Sequence, residues 1–197
     1  MPEKRTFYIT TPIYYVNDKP HIGHAYSTIA ADVVSRYARL RGRPAFMLTG
    51  LDEHGLKIER KAKEENLAPK DFCDRMVPPF REAWDALLCR TDDFVRTTDP
   101  RHEEKVRRLW EMVEANGDVY LGHYEDWYCV GCEAFKTEKE LLPGNICPDH
   151  KKPVERIKEE SYFFKLSAYT ERLLAFYDEN PGFVKPEGRL NEVKAFV

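Results

Sequence analysis

Long apolar runs are missing from this 197-residue chain. None approaches the ~20 residues that span a bilayer, so a membrane-crossing helix is not expected. The first residues, MPEKRTFYITTP, carry charge without an apolar stretch, and a secretory signal is not expected either. Cysteine is sparse and odd in number, five, which speaks against a disulfide scaffold and for a reduced, cytoplasmic protein. Neither sign of charge dominates. With 31 basic and 34 acidic side chains the net charge is -3, so any polyanion binding would need a local patch, and neither DNA nor a membrane surface is an expected partner. Repeats and low-complexity tracts are absent, and 13% aromatic residues are too many for a disordered tail. What remains suits one substantial domain, or one domain carrying a smaller insert.

The first hundred residues alternate between strand and helix patterns. Phe7-Tyr8-Ile9-Thr10-Thr11 predicts a short buried strand stopped by Pro12. After the turn formers Asn17-Asp18-Lys19-Pro20, apolar residues at Ile22, Ala25, Ile29, Val33, Tyr37 and Leu40 predict an amphipathic helix closed by Gly42. Pro44 to Gly50 reads as a second strand, which makes a βαβ unit and hence a parallel sheet. Helical patterns follow over 56–66 and 69–89. Pro78-Pro79 predict a kink or a split in the second, because an interior proline costs about 3 kcal/mol. Phe94–Thr98 predicts a third strand, and Asp99-Pro100 opens a helix reaching Asn116-Gly117. Beyond Gly117 the texture changes. Short aromatic strands over 119–124 and 162–165 flank a cysteine-bearing loop, and a last helix covers 167–179.

Two constellations carry chemistry. His21-Ile22-Gly23-His24 lies between the first strand and the first helix, where unpaired N–H groups and partial positive charge suit phosphate. Two imidazoles one turn apart can donate to phosphate oxygens as charge grows, and the glycine leaves room for a nucleotide at the backbone. The bland alternative is a pair of capping histidines. The second constellation is Cys129-x2-Cys132 followed by Cys147-x2-His150. Four N/S ligands in two tight knuckles describe a closed structural Zn2+ site, with His123 and Asp149 as weaker alternates. Cys73 and Cys89 read as buried small side chains. The arginines at 36, 39, 41 and 43 read as a solvated helix end.

The segment Thr11-Pro12-Ile13-Tyr14-Tyr15-Val16-Asn17-Asp18, the run Pro20 to Tyr26, and Leu48-Thr49-Gly50-Leu51-Asp52-Glu53-His54-Gly55 together resemble the N-terminal signature of class I methionyl-tRNA synthetases. The likeness extends through Phe94–Asp99 and the cysteine loop. It implies the first half of a class I Rossmann-like nucleotide-binding fold over 1–117, with a zinc-knuckle connective-peptide insertion over 118–197. It further implies activation of methionine with ATP and Mg2+, then transfer to tRNA(Met). By the same resemblance His21, Gly23 and His24 bind ATP, with the two histidines catalytic. Ile13 and Tyr15 line the methionine pocket, and Asp52 binds the α-ammonium group. An acidic residue at the C-terminal end of a parallel strand does face the ligand crevice of α/β sheets, where it can neutralise an ammonium. Tyr14 reads as a core aromatic. No lysine-bearing phosphate loop of the KMSKS type occurs, so the expected status is an N-terminal fragment, inactive alone. The competing reading is a non-catalytic, zinc-stabilised module that binds nucleotide or tRNA.

Overall fold

The computed structural model describes residues 5–197. The chain divides into two compact units, Met1–Arg107 and Arg108–Val197, a division that falls inside one helix. The first is α/β and Rossmann-like. Its strands β1 (Phe7–Tyr15), β2 (Ala45–Asp52) and β3 (Asp93–Arg96) form a parallel sheet in the order β1-β2-β3. Helix α1 (Ile22–Leu40) links the first two strands, and α2 (Leu56–Glu64) with α3 (Pro69–Ala86) links the second and third.

β1 does not stop at Pro12. Its register with β2 runs from Phe7–Ala45 to Thr10–Leu48 and resumes as Ile13–Gly50 and Tyr15–Asp52, so Thr11 and Pro12 together face Thr49. That extra residue is a β-bulge. Proline without an N–H is tolerated there, and the Thr11 and Thr49 hydroxyls meet at 2.6 Å to close the gap. Before the bulge Ile9 partners Met47; after it Tyr14 partners Leu51. Met47 and Leu51 lie four residues apart, on one face, and both are buried. The bulge therefore turns Tyr14 to the core and leaves Ile13, Tyr15 and Asp52 on the other face.

The core lies on the Tyr14 side. Tyr14, Leu51, Phe72, Met76, Phe80, Trp84 and Phe94 pack as one cluster, and the Tyr14 hydroxyl pairs with those of Ser27 and Thr28 on α1 at 2.8 Å each. On the opposite face Tyr8 and Phe46 stack at 6.0 Å and stay exposed to solvent, as do Ile13 and Tyr15. Helix α1 ends as its glycine predicts: Gly42 adopts φ 68°, its N–H donates to Arg39 O, and the Arg43 N–H donates to Ala38 O.

Helix α3 runs unbroken through Pro78 and Pro79, against the expected split. The carbonyls that lose their donors belong to Asp74 and Arg75, both exposed, where water can donate instead. The face bearing Phe72, Met76, Phe80 and Trp84 stays in the core, and that burial favours one continuous helix. The arginines of α1 and its exit are not simply solvated. Arg36 pairs with buried Asp32, Arg39 with Asp92 at 2.6 Å, and Arg43 donates to the Arg5 carbonyl at 2.9 Å.

Helix α4 (Pro100–Ala115) leads into the second unit. Asp99 starts it through its carbonyl, but its carboxylate accepts from the Arg96 N–H at 3.1 Å rather than from the helix. The second unit is built on a long antiparallel ribbon, β4 (Val119–Cys129) with β6 (Glu155–Phe164), and a short β5 (Ala134–Lys136) beside β4. These strands are longer than the aromatic runs suggested. Their middles are charged, with Glu125 facing Arg156 and Lys158 across the ribbon, so they lack an apolar signal. Helices α5 (Thr170–Glu179) and α6 (Glu187–Phe196) follow, the latter without a counterpart in the sequence reading. No helix among the described residues is long and apolar enough to cross a membrane.

Candidate functional site

The loop after β1 delivers His21 to the N-cap of α1 in extended conformation, φ -126° and ψ 176°. The two histidines then cap the helix reciprocally. His21 Nδ1 accepts from the Gly23 N–H at 3.1 Å, and His24 Nδ1 accepts from the His21 N–H at 3.2 Å. With Nδ1 an acceptor in both rings, the proton of each neutral imidazole sits on Nε2, and each ring keeps one N–H for a ligand. Burial, and then the neighbouring His21, hold His24 below the ordinary histidine value, which favours its neutral form. The rings stack with centroids 3.8 Å apart. Gly23 has a structural reason of its own: a Cβ there would stand 2.9 Å from His21 Cε1. Capping by Nδ1 thus leaves an Nε2–H on each ring, so the capping reading of the motif does not exclude a ligand-binding one.

Ile13, Tyr15, His21 and His24 line a single concavity of about 440 Å³, together with Asn17, Asp18 and Lys19. Asp52 is outside that lining but is the ladder partner of Tyr15, on the same face of the sheet. Its carboxylate accepts one long bond from the His54 N–H, at 3.5 Å. Tyr14 is core, as read, yet its ring lies 4.8 Å from that of His24, with Phe80 at 5.4 Å on the same imidazole. Phe80 comes from a helix remote in sequence, and no local motif announces its contact with the histidine.

In the second unit Cys129, Cys132, Cys147 and His150 converge, their ligand atoms all within 4.8 Å of one another. A tetrahedral ion with bonds of about 2.3 Å to sulfur needs S···S edges of about 3.75 Å. The observed Cys132–Cys147 separation is 3.6 Å, and His150 Nδ1 lies 3.8 Å from Cys129 and 3.9 Å from Cys147. The donor set fits a metal. All the cysteines are free thiols. The backbone N–H and ring of His150 draw the Cys147 thiol down to about 6, whereas burial and the adjoining thiols push Cys132 up to about 12. One thiolate forms readily and the next resists, and a divalent cation relieves that conflict. Asp149 approaches Cys132 at 3.5 Å but faces Lys136 at 3.2 Å, and His123 faces Glu160 on the ribbon; neither replaces a knuckle ligand.

Gly131 decides whether His150 can reach its place. A Cβ there would meet the imidazole Cδ2 and Cγ at 2.5 Å. Gly131→Ala is therefore expected to displace His150 and weaken metal affinity about ten- to a hundredfold. Competition with a chromogenic chelator measures it, and unchanged affinity would show that the loop yields freely.

A family described as tRNA synthetases class I (M) matches residues 7–156. The chain belongs to that family. Its class I (M) relatives include the methionine–tRNA ligase of Caldanaerobacter subterraneus subsp. tengcongensis, 50% identical over 98% of this chain and 30% of the relative. The chain thus spans about a third of the length of the curated relatives it matches. Among solved structures, Mycobacterium tuberculosis methionyl-tRNA synthetase in complex with methionyl-adenylate is similar with a TM-score of 0.91 and 42% identity, over 98% of this chain and 38% of that one. The free-state structure of the Mycobacterium tuberculosis synthetase is similar with a TM-score of 0.70 and 39% identity, over 98% of this chain and 37% of that one.

Proposed function

We propose that this class I (M) chain forms the histidine-bearing half of the active site of a methionine–tRNA ligase. The enzyme activates methionine with ATP to methionyl-adenylate and transfers the aminoacyl group to tRNA(Met). In this reading residues 1–117 belong to the Rossmann catalytic domain and 118–197 to a connective insertion around the 129–150 knuckle. The observation that carries the proposal is the reciprocal cap, which leaves an Nε2–H on both His21 and His24 beside the α1 N-terminus. A methionine carboxylate oxygen attacks the α-phosphorus of ATP, the new O–P bond forms, and the bond to pyrophosphate breaks. The two donors and the helix dipole favour the phosphate charge that builds in that step. Mg2+ accompanies ATP as its counter-ion.

Substrate placement follows from the sheet. Asp52 accepts the α-ammonium, and Ile13 with Tyr15 flanks the thioether side chain from the same face. Cys129, Cys132, Cys147 and His150 would hold Zn2+ in a closed set with no position left for substrate, so the ion's contribution is structural. The setting is cytoplasmic in this reading.

Substitution of each histidine by asparagine in the whole synthetase tests the assignment. Asparagine keeps a capping group while removing the imidazole. Turnover in ATP–pyrophosphate exchange is expected to fall about a hundred- to a thousandfold, with ATP affinity changed far less, because the donors act chiefly in the transition state. Equal losses in both would assign the pair to ground-state binding only.

A further inference from the structure

The carboxylate next to Asp52 is the most enclosed charge in the first unit. Glu53 has no exposed side-chain surface, and Arg96 grips it with two bonds, Nε to Oε1 at 2.6 Å and Nη2 to Oε2 at 3.1 Å. The Thr98 hydroxyl donates to the same carboxylate, and Arg96 also reaches Asp74 on α3. The backbone is stitched at the same point: the Glu53 N–H donates to Thr97 Oγ1 at 3.0 Å, and the Thr97 N–H donates to Leu51 O at 3.3 Å. Burying such charges is costly, and a well-packed apolar pair would serve stability as well or better. The network calls for a reason other than stability.

Its position supplies one. Asp52 is the last residue of β2 and Glu53 the first beyond it, so the two side chains leave the chain in opposed directions. A fork fixed at two points sets the rotation of the backbone about its own axis there. With Glu53 clamped inward by Arg96 and Thr98, Asp52 is held outward beside Tyr15. Gly55, at φ 105°, releases the chain only after both carboxylates are set.

We propose that the Glu53–Arg96–Thr98 clamp is a positioning device for amino-acid recognition, aiming the Asp52 carboxylate at the substrate ammonium without touching the substrate itself. This inference rests on the assignment of Asp52 under the proposed function. It separates from a plain structural role because a merely loosened fold would weaken every ligand alike.

The test uses the whole synthetase and two probes: methionine, and 4-(methylthio)butanoate, which has the same thioether chain but no ammonium. Dissociation constants are measured by calorimetry, with ATP as a third ligand. Glu53→Gln keeps the shape of the side chain and removes its charge. It is expected to reduce the preference for methionine over the desamino probe about tenfold or more, with affinity for the probe and for ATP changed less than twofold. Thr98→Val deletes a single donor and is expected to shift the same ratio about two- to fivefold, which keeps the test decisive should Glu53→Gln fail to fold. Asp52→Asn is the reference. If Asp52→Asn leaves the ratio intact, the assignment of Asp52 falls and the clamp's role with it. If Asp52→Asn collapses the ratio while Glu53→Gln and Thr98→Val lower all three affinities equally, or none, the clamp is structural and the inference is overturned.

Discussion

Removing the Zn2+ proposed for the cysteine cluster is expected to unfold residues 129–154 while leaving the parallel sheet of the first unit intact. The apolar inventory of the cluster explains the size of the effect. Its buried residues are Cys129, Cys147 and Val154, with Trp127, Cys132 and Leu141 packed against them, so three of these six are ligands. A single fully buried valine contributes only about 1.5–3 kcal/mol, too little to order a loop of this length. Structural zinc in comparable peptides supplies about 10–16 kcal/mol at neutral pH. Chelation should therefore raise hydrogen exchange across 129–154 to the rate of an open chain, and elemental analysis beforehand should find one Zn2+ per chain. A cluster that stays protected after complete chelation, or that never held stoichiometric metal, would refute the metal's structural role.

The second large effect is expected at Phe80. Its side chain is fully buried, and its ring lies 6.3 Å from that of Tyr14, 6.0 Å from that of Trp84 and 5.4 Å from that of His24. Phe80→Ala opens a cavity in the middle of the core and is expected to cost about 3–5 kcal/mol. Opening of α1 and α3 would become about a hundred- to five-thousandfold more frequent, which hydrogen exchange resolved by peptide reads directly. Because the cavity borders the His24 imidazole, the loss should also disorder the ring on its inner side. Phe80→Leu, which refills most of the volume, should recover much of the protection; failure to do so would mean that ring shape, rather than volume, supports the histidine.

The parts of the molecule that local patterns control were legible in the sequence. The apolar spacing of Ile22 to Leu40 and the closing Gly42 describe α1, and the Cys-x2-Cys and Cys-x2-His spacings name the ligands that converge. What escaped depends on partners far along the chain. Pro12 looks like a stop until Thr49 is set against it, and Pro78-Pro79 looks like a break until the core is seen to hold Phe72 to Trp84 on one side. The charged middles of β4 and β6 carry no alternation because their pairing is with each other rather than with a core. Glu53 and Arg96 are invisible as a pair, since nothing local links a carboxylate after one strand to an arginine ending the next.

The bulge at Thr11 and Pro12 carries one more implication. It is a counting device: an odd residue inserted between Thr10 and Ile13 exchanges which side of the sheet each later residue of β1 faces. Deleting one residue there would remove the bulge and leave a regular ladder, with Tyr14 still against Leu51 in the core and Tyr15 still beside Asp52 on the other face. Most single substitutions in Thr11-Pro12 leave that count unchanged. Over this stretch the chain can lose one residue and keep its faces, whereas losing both would set Tyr15 against Leu51 and turn it to the core.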